Sequence, residues 1–326
     1  MRNKSKGFTL VELLVVISII AMLLAVLIPA LNKARQSAYS VVCRSHMRQC
    51  GLAMTTYFIE WNNFFAGPNT SGIALNSNSA PTESSASTPV QNMDWVSPTL
   101  GRELALPKNR YKRLTRILNT DLRCGANNLR YQYIYNPPSD WPKSLKAEDL
   151  RYASLSAVLG FHVYNSNVTL SNSNIITASD VKDKVELPRS YVPKMQMIGS
   201  PAQKIYIMDG ARYIDTTLGA SFNDFPKQVV GGNFMLYGPA VAVSGDPFAN
   251  ALKGVGTRRL FSPSLINYKY AWRHNKGLNA VFFDGHCISM KAQDSLNISY
   301  YFPKGTKVVN AELTQDLTDT TGMIIK

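Results

Sequence analysis

Residues 8–28 read FTLVELLVVISIIAMLLAVLI, an apolar run of 21 residues in which Glu12 is the sole ionisable group. Wound as an α-helix at about 1.5 Å per residue, the run spans roughly 31 Å, close to the thickness of a bilayer's hydrocarbon core. No other stretch of the 326 residues is long and apolar enough to cross, which excludes a multispanning membrane protein. Three cations (Arg2, Lys4, Lys6) and no acid precede the run. Residues 1–7 are therefore expected on the cytoplasmic side and the bulk of the chain on the other. A secretory signal differs, with an apolar region of about 7–15 residues followed by small residues. Here the small residue, Gly7, stands in front. The pattern is that of an anchor with a removable basic tip.

Glu12 is the costly residue. A carboxylate in hydrocarbon is worth at least about 2.5–3.5 kcal/mol against insertion, so it needs either headgroups within reach or a basic partner. Pro29 follows the run and withholds one helix hydrogen bond, so a kink or break is expected at 26–29. The helical pattern then continues. Cys43, Met47, Cys50, Met54, Tyr57 and Trp61 recur at three- and four-residue spacing, with Arg44, Arg48, Thr55 and Asn62 on the other side. Such a stripe is usually packing, and it is read as the seam between this helix and a globular domain.

Hydrophobic residues make up 45% of the chain and charged residues 17%, so a wholly disordered chain is excluded and a real core is expected. Residues 66–92 are rich in Ser, Asn, Thr and Pro and read as a long exposed loop, as do 165–174 on a smaller scale. Residues 93–135 predict a short helix and then a strand. Two strand-like runs, 204–208 and 279–283, each end in Asp-Gly (Asp209-Gly210, Asp284-Gly285), and residues 286–290 form a third. Asp-Gly accepts the positive φ of a type I′ turn, so 279–290 predict a hairpin, expected at the centre of an antiparallel sheet. The fold class is α+β: a long N-terminal transmembrane helix packed on a C-terminal domain with an antiparallel β-sheet.

The segment Gly7-Phe8-Thr9-Leu10-Val11-Glu12 resembles the processing site of type IV prepilins and type II secretion pseudopilins, and Pro29 stands where such chains usually carry proline. The resemblance implies cleavage between Gly7 and Phe8 by a prepilin peptidase, then N-methylation of Phe8. It also implies that Glu12 pairs with the Phe8 amine of a neighbouring subunit during assembly. His274 and Asp284-Gly285, nine residues apart, resemble the H-X9-DG signature of prepilin-like proteins from planctomycete-type bacteria. Residues 200–204 and the set Cys43, Gln49, Gly51, Leu52 and Ala53 resemble the same group. This chain departs from that pattern at His46, where Asn is usual, and at Gly125, where Pro usually follows the cysteine.

On this basis the chain divides into a leader (1–7), a transmembrane and assembly segment (8–28), an amphipathic helix (29–64) and an exported α+β domain (65–326) with the motif at 274–285. The implied role is a pilin-like subunit of a type IV pilus or a secretion pseudopilus. Implied partners are the peptidase/methyltransferase, copies of itself or other pilins, and an inner-membrane assembly platform. The implied place is the inner membrane, single-pass, with the C-terminal domain in the periplasm or on a cell-surface filament. The competing reading is an anchored exported binding or enzymatic domain that uses the prepilin signal without forming filaments.

No Ser-His-Asp set or phosphate-cradling loop is present, and neither an enzyme nor a cofactor is expected. His274, Asp284 and His286 have zinc-ligand chemistry. The preferred reading instead has Asp284 shaping the turn and His274 satisfying a nearby group. Of the four cysteines, Cys43 and Cys50 lie seven apart on a helix, roughly 10 Å, beyond disulfide reach. Any bridge must tie the helix to Cys124 or Cys287, and free thiols are the alternative. Formal charge is +14, and loss of the three leader cations leaves +11. A basic exported surface attracts polyanions, but the cations are scattered and nucleic acid is a minority partner.

Overall fold

The computed structural model describes residues 8–66, 84–88, 95–128, 142–146, 149–151, 154–162, 165, 185–209, 213–215, 219–221, 234–235, 272–309 and 321–326. Helix α1 (Leu10–Glu60) opens on a capping box, in which the Thr9 and Glu12 side chains each bond the other's backbone N–H. It stops at Asn62 and Asn63, with φ of 53° and 64°, and the Asn63 N–H donates to the Phe58 carbonyl at 2.8 Å. Asparagine tolerates the left-handed region that ends a helix, so the Asn pair terminates α1. Pro29 lies inside α1, which continues through it instead of breaking at 26–29. Proline removes one bond of a 51-residue ladder, a loss that apolar helices absorb.

α1 has two dissimilar halves. Its apolar N-terminal window is 0% buried. From Ser40 onward one face is covered, and Cys43, Met47, Cys50, Ala53, Met54, Tyr57 and Phe58 are each no more than 6% exposed. This is the stripe read from the sequence, apart from its last member. Trp61 falls just past the helix end and is 45% exposed, stacked on Tyr57 at 5.7 Å. Burying a side chain of the size of Met or Tyr contributes about 1.5–3 kcal/mol, so the covered face is a major source of domain stability.

Two short helices follow, α2 (Val96–Leu100) and α3 (Arg110–Arg116), the second running into a π-helical turn at Ile117–Asp121. Of the strand expected within 93–135, none is present among the described residues 95–128, and 129–135 lie outside the described residues, as do most of the loops at 66–92 and 165–174. The strands are β1 (Leu155–Val158), β2 (Val185–Glu186), β3 (Ile205–Asp209), β4 (Tyr213–Asp215), β5 (Gly219–Ser221), β6 (Phe234–Met235), β7 (Gly277–Phe282), β8 (Cys287–Lys291) and β9 (Lys307–Val308). Five of them form the main sheet in the order β6-β1-β3-β7-β8. Its pairs are antiparallel except β1 with β6, which is parallel. β3 and β7 are buried along their whole length. Both lie inside the sheet, which explains their nearly continuous apolar sequences. Asn279 reaches Ser40 of α1, so Gly277, Asn279 and Val281 face the helix. The approach is close: a Cβ on Gly51 would lie 3.1 Å from Val281 Cγ2.

The β7–β8 hairpin exists but lies at an edge of the sheet, with β3 central. Its loop also differs from the expected type I′ turn. Gly285 N–H donates to the Phe282 carbonyl at 2.9 Å and Phe282 N–H to the His286 carbonyl at 3.0 Å. Phe283, Asp284 and Gly285 thus form a three-residue loop in which only Gly285, at φ 87°, is left-handed. The physical reason is Phe283. Its ring sits among Phe65, Phe161 and Tyr206, with centroids at 4.9, 5.0 and 5.2 Å, and its N–H donates to the Lys204 carbonyl at 3.0 Å, so Phe283 pairs with the β3 side and not with β8. The signature of a type I′ turn appears at the other end of β7. Asn275 and Lys276 have φ of 53° and 62°, and His274 and Gly277 exchange both backbone hydrogen bonds.

Candidate functional site

At the start of α1, Gly7 lies outside the described residues and Phe8 is 71% exposed. Glu12 Oε2 accepts from the Thr9 N–H at 2.9 Å and from the Thr9 hydroxyl at 2.8 Å. The Glu12 N–H donates to Thr9 Oγ1 at 3.3 Å. Thr9 is a residue that attention to Glu12 alone passed over, although the T-x-x-E spacing before an apolar run is a legible capping signal. In the single chain Glu12 thus has local donors while its exposed carboxylate stays open to another.

A second constellation lies where α1 meets the sheet. Asp209, the last residue of β3, is completely buried. Its Oδ1 accepts from Arg273 Nη2 and from the Cys43 thiol, the latter at 3.3 Å. Its Oδ2 accepts from the Asn279 N–H at 2.7 Å and lies 3.5 Å from His274 Nε2. That same Nε2 is 3.4 Å from Cys124 Sγ. Arg273 also donates to the Ser154 carbonyl, while Ser154 Oγ accepts from the Cys124 N–H at 2.8 Å. Asn279 extends the network to α1 through Ser40, whose hydroxyl donates to Asn279 Oδ1 at 3.1 Å. Burial raises the Asp209 carboxyl, and the Arg273 and His274 charges oppose that rise. The Cys43 hydrogen bond, with Arg273 and His274 beside it, draws the Cys124 thiol down despite burial.

His274 and Asp284 lie beyond opposite ends of β7, a strand of six residues spanning roughly 20 Å. Asp284 instead bonds His286 Nδ1 at 2.6 Å in an exposed turn. His274, Asp284 and His286 therefore do not converge, which overturns them as a ligand set. Asp284 shapes its turn, accepting from the His286 N–H at 3.1 Å. The carboxylate beside His274 is that of Asp209, at 3.5 Å. No short-range pattern marks Asp209, Arg273 and Asn279 as partners, because they lie 64 and 70 residues apart.

Cys43 and Cys124 also meet here, and all four cysteines are free thiols. Cys50, pushed up to about 12 by burial, and Cys287, pushed up to about 11 by burial, belong to a separate patch of the helix–sheet seam. Gly125 has a visible reason to depart from proline. A Cβ there would lie 2.6 Å from the Tyr39 ring, so α1 seats directly on this backbone.

Residues 2–28 match the family model described as the prokaryotic N-terminal methylation motif. Over 81 residues the chain is 43% identical to the type IV wide pilus major component PilA4 of Thermus thermophilus. That match covers 25% of this chain and 60% of PilA4, so the chain spans less than two thirds of that relative's length. No solved structure matches the chain. Its N-terminal segment thus carries the prokaryotic methylation motif and is similar to part of a type IV pilin.

Proposed function

We propose that the chain is a pilin-like structural subunit. It is cut between Gly7 and Phe8, N-methylated on Phe8, and assembled through the N-terminal half of α1 into a filament of the type IV pilus or secretion-pseudopilus kind. The observation that carries this reading is the division of α1. One half is seated in the domain's core, and the other presents an unburied apolar surface with one carboxylate at its tip. In a bilayer lipid covers that surface. In a filament the same surface of neighbouring copies does, and the Phe8 amine of one copy neutralises Glu12 of the next. Its partners are then the processing enzyme, other subunits and the inner-membrane assembly machinery, with the domain beyond residue 64 on the exported side. A catalytic role is not part of this reading.

The Glu12 variants test it. Glu12→Val removes the charge and the Glu12 half of the capping box and should leave membrane insertion intact or improved while abolishing incorporation into filaments recovered by shearing. Glu12→Gln keeps an acceptor for the Thr9 N–H without the charge and should be intermediate. Normal incorporation of the Val variant would falsify the pairing. Mature protein that starts beyond Pro29 would remove the prepilin reading altogether.

A further inference from the structure

We propose that Cys43, Cys124, His274 and Asp209 form a closed structural zinc site that pins α1 to the sheet. The ligand atoms of Cys43, Cys124 and His274 all lie within 4.8 Å of one another, and all three residues are buried. Asp209 lies beside this group, its Oδ1 3.3 Å from Cys43 Sγ and its Oδ2 3.5 Å from His274 Nε2. Zinc binds sulfur at about 2.3 Å and imidazole nitrogen or carboxylate oxygen at about 2.0–2.2 Å. A tetrahedron with those bonds has sulfur–nitrogen and sulfur–oxygen edges of about 3.5 Å and a nitrogen–oxygen edge of about 3.4 Å. The corresponding distances are 3.4 Å for Cys124 to His274, 3.3 Å for Cys43 to Asp209 and 3.5 Å for His274 to Asp209. The Cys124–His274 edge therefore already has the required length, while the two Asp209 distances end on its two different oxygens, so one of those oxygens must turn toward the metal to serve as the fourth ligand.

Donor chemistry and charge select the ion. Two sulfurs, an imidazole and one carboxylate suit a borderline-soft ion, whereas calcium and magnesium take six or more oxygens. A carboxylate has about four acceptor directions, and Arg273 and Asn279 occupy one on each Asp209 oxygen. A direction remains on each for the metal. With both thiols ionised, the two thiolates and Asp209 carry three negative charges against one positive charge on Arg273. One divalent cation neutralises the remainder. Binding releases both thiol protons and involves no redox change. A Cys43–Cys124 disulfide would use the two sulfurs and give no reason for His274 Nε2 and Asp209 to converge on them. All four groups are protein ligands with no more than 5% exposure, so the site is of the structural kind without an open position.

The test uses the full chain, purified in detergent without chelator or reductant and then incubated with zinc and desalted. We expect about one zinc per chain by elemental mass spectrometry. All four cysteines should react with an alkylating reagent once the protein is denatured in chelator. Cobalt in place of zinc should give the intense visible bands of a tetrahedral thiolate site. Cys43→Ser and His274→Ala should lose the metal, while His274→Cys, which keeps a ligand, and Cys287→Ser should retain it. Chelation should lower the melting temperature of the wild type and leave that of His274→Ala unchanged. A Cys43–Cys124 disulfide without zinc overturns the proposal. So do four free thiols that take up no zinc or cobalt, and so does unaltered zinc content in both Cys43→Ser and His274→Ala. The wild-type metal and thiol measurements decide the matter even where a variant fails to fold.

Discussion

Gly285 isolates a backbone effect from a packing effect. Its φ is +87°, and a Cβ built there meets no atom within 4 Å. A side chain at 285 therefore costs only the strain of holding an L-residue in the left-handed region, about 1–2 kcal/mol. In a domain of this size, a loss of about 1.5 kcal/mol lowers the melting temperature by roughly 3–6 °C. Gly285→Ala should show that shift. Gly285→Asn should show about half of it, because Asn bonds locally in this conformation, and Gly285→Val should exceed Ala because β-branching adds restriction. Gly277 is the contrasting position, since a Cβ there would lie 2.4 Å from the Met290 carbonyl oxygen across the ladder. Gly277→Ala must move a strand and should cost about 2–3 kcal/mol. Thermal unfolding of the full chain in one detergent, followed by circular dichroism, measures the series. If Gly285→Ala and Gly285→Asn melt together with wild type, Gly285 is not left-handed in solution and the three-residue loop is wrong.

Two further outcomes follow from buried groups. His162 is held down to about 3 by burial, against about 6.5 when unfolded. Between those values the unfolded chain binds the extra proton, so stability is full above about pH 6.5 and is lost as pH falls, by about 1.4 kcal/mol per unit. Unfolding free energies from urea titration at pH 7.5 and 5.0 should differ by about 2 kcal/mol more for wild type than for His162→Leu; equal differences would sink this assignment. Gly125→Ala should destabilise by about 1–3 kcal/mol through the Tyr39 ring, and Tyr39→Ala in the same chain should recover most of the loss. Strict additivity of the two changes would show that the ring is not the obstacle.

The parts of the fold that were legible in the sequence are those set by near neighbours. The apolar run, the Cys-Met-Tyr stripe and the strands beside Asp209 and Asp284 follow from spacing, and all three are present. Trp61 has the right spacing but falls beyond the Asn pair that ends α1, a stop signal weaker than the period it interrupts. Asp-Gly announced a turn at 284–285 without saying which turn positions the two residues fill. The burial of Phe283 decided that, and its ring neighbours Phe65, Phe161 and Tyr206 come from three distant segments. The Asp209 constellation was the least readable part. His274 was singled out for its spacing from Asp284, yet the strand between them is what that spacing encodes. The carboxylate it meets comes from β3, with Cys43 a further 166 residues away.

That wide sourcing sets a timetable for the newly made chain. The Ser40–Asn279 contact spans 239 residues, and a ribosome adding about 5–20 residues per second needs roughly 12–48 s between the two. Throughout that interval α1 exists without β7, the strand that lies against its covered face. The protein is thus most prone to mistaken contacts during its own synthesis, when a long half-apolar helix is already complete and its proper cover is still to come. A truncation that ends before residue 277 would make that interval permanent and should appear in cells as aggregated or degraded material.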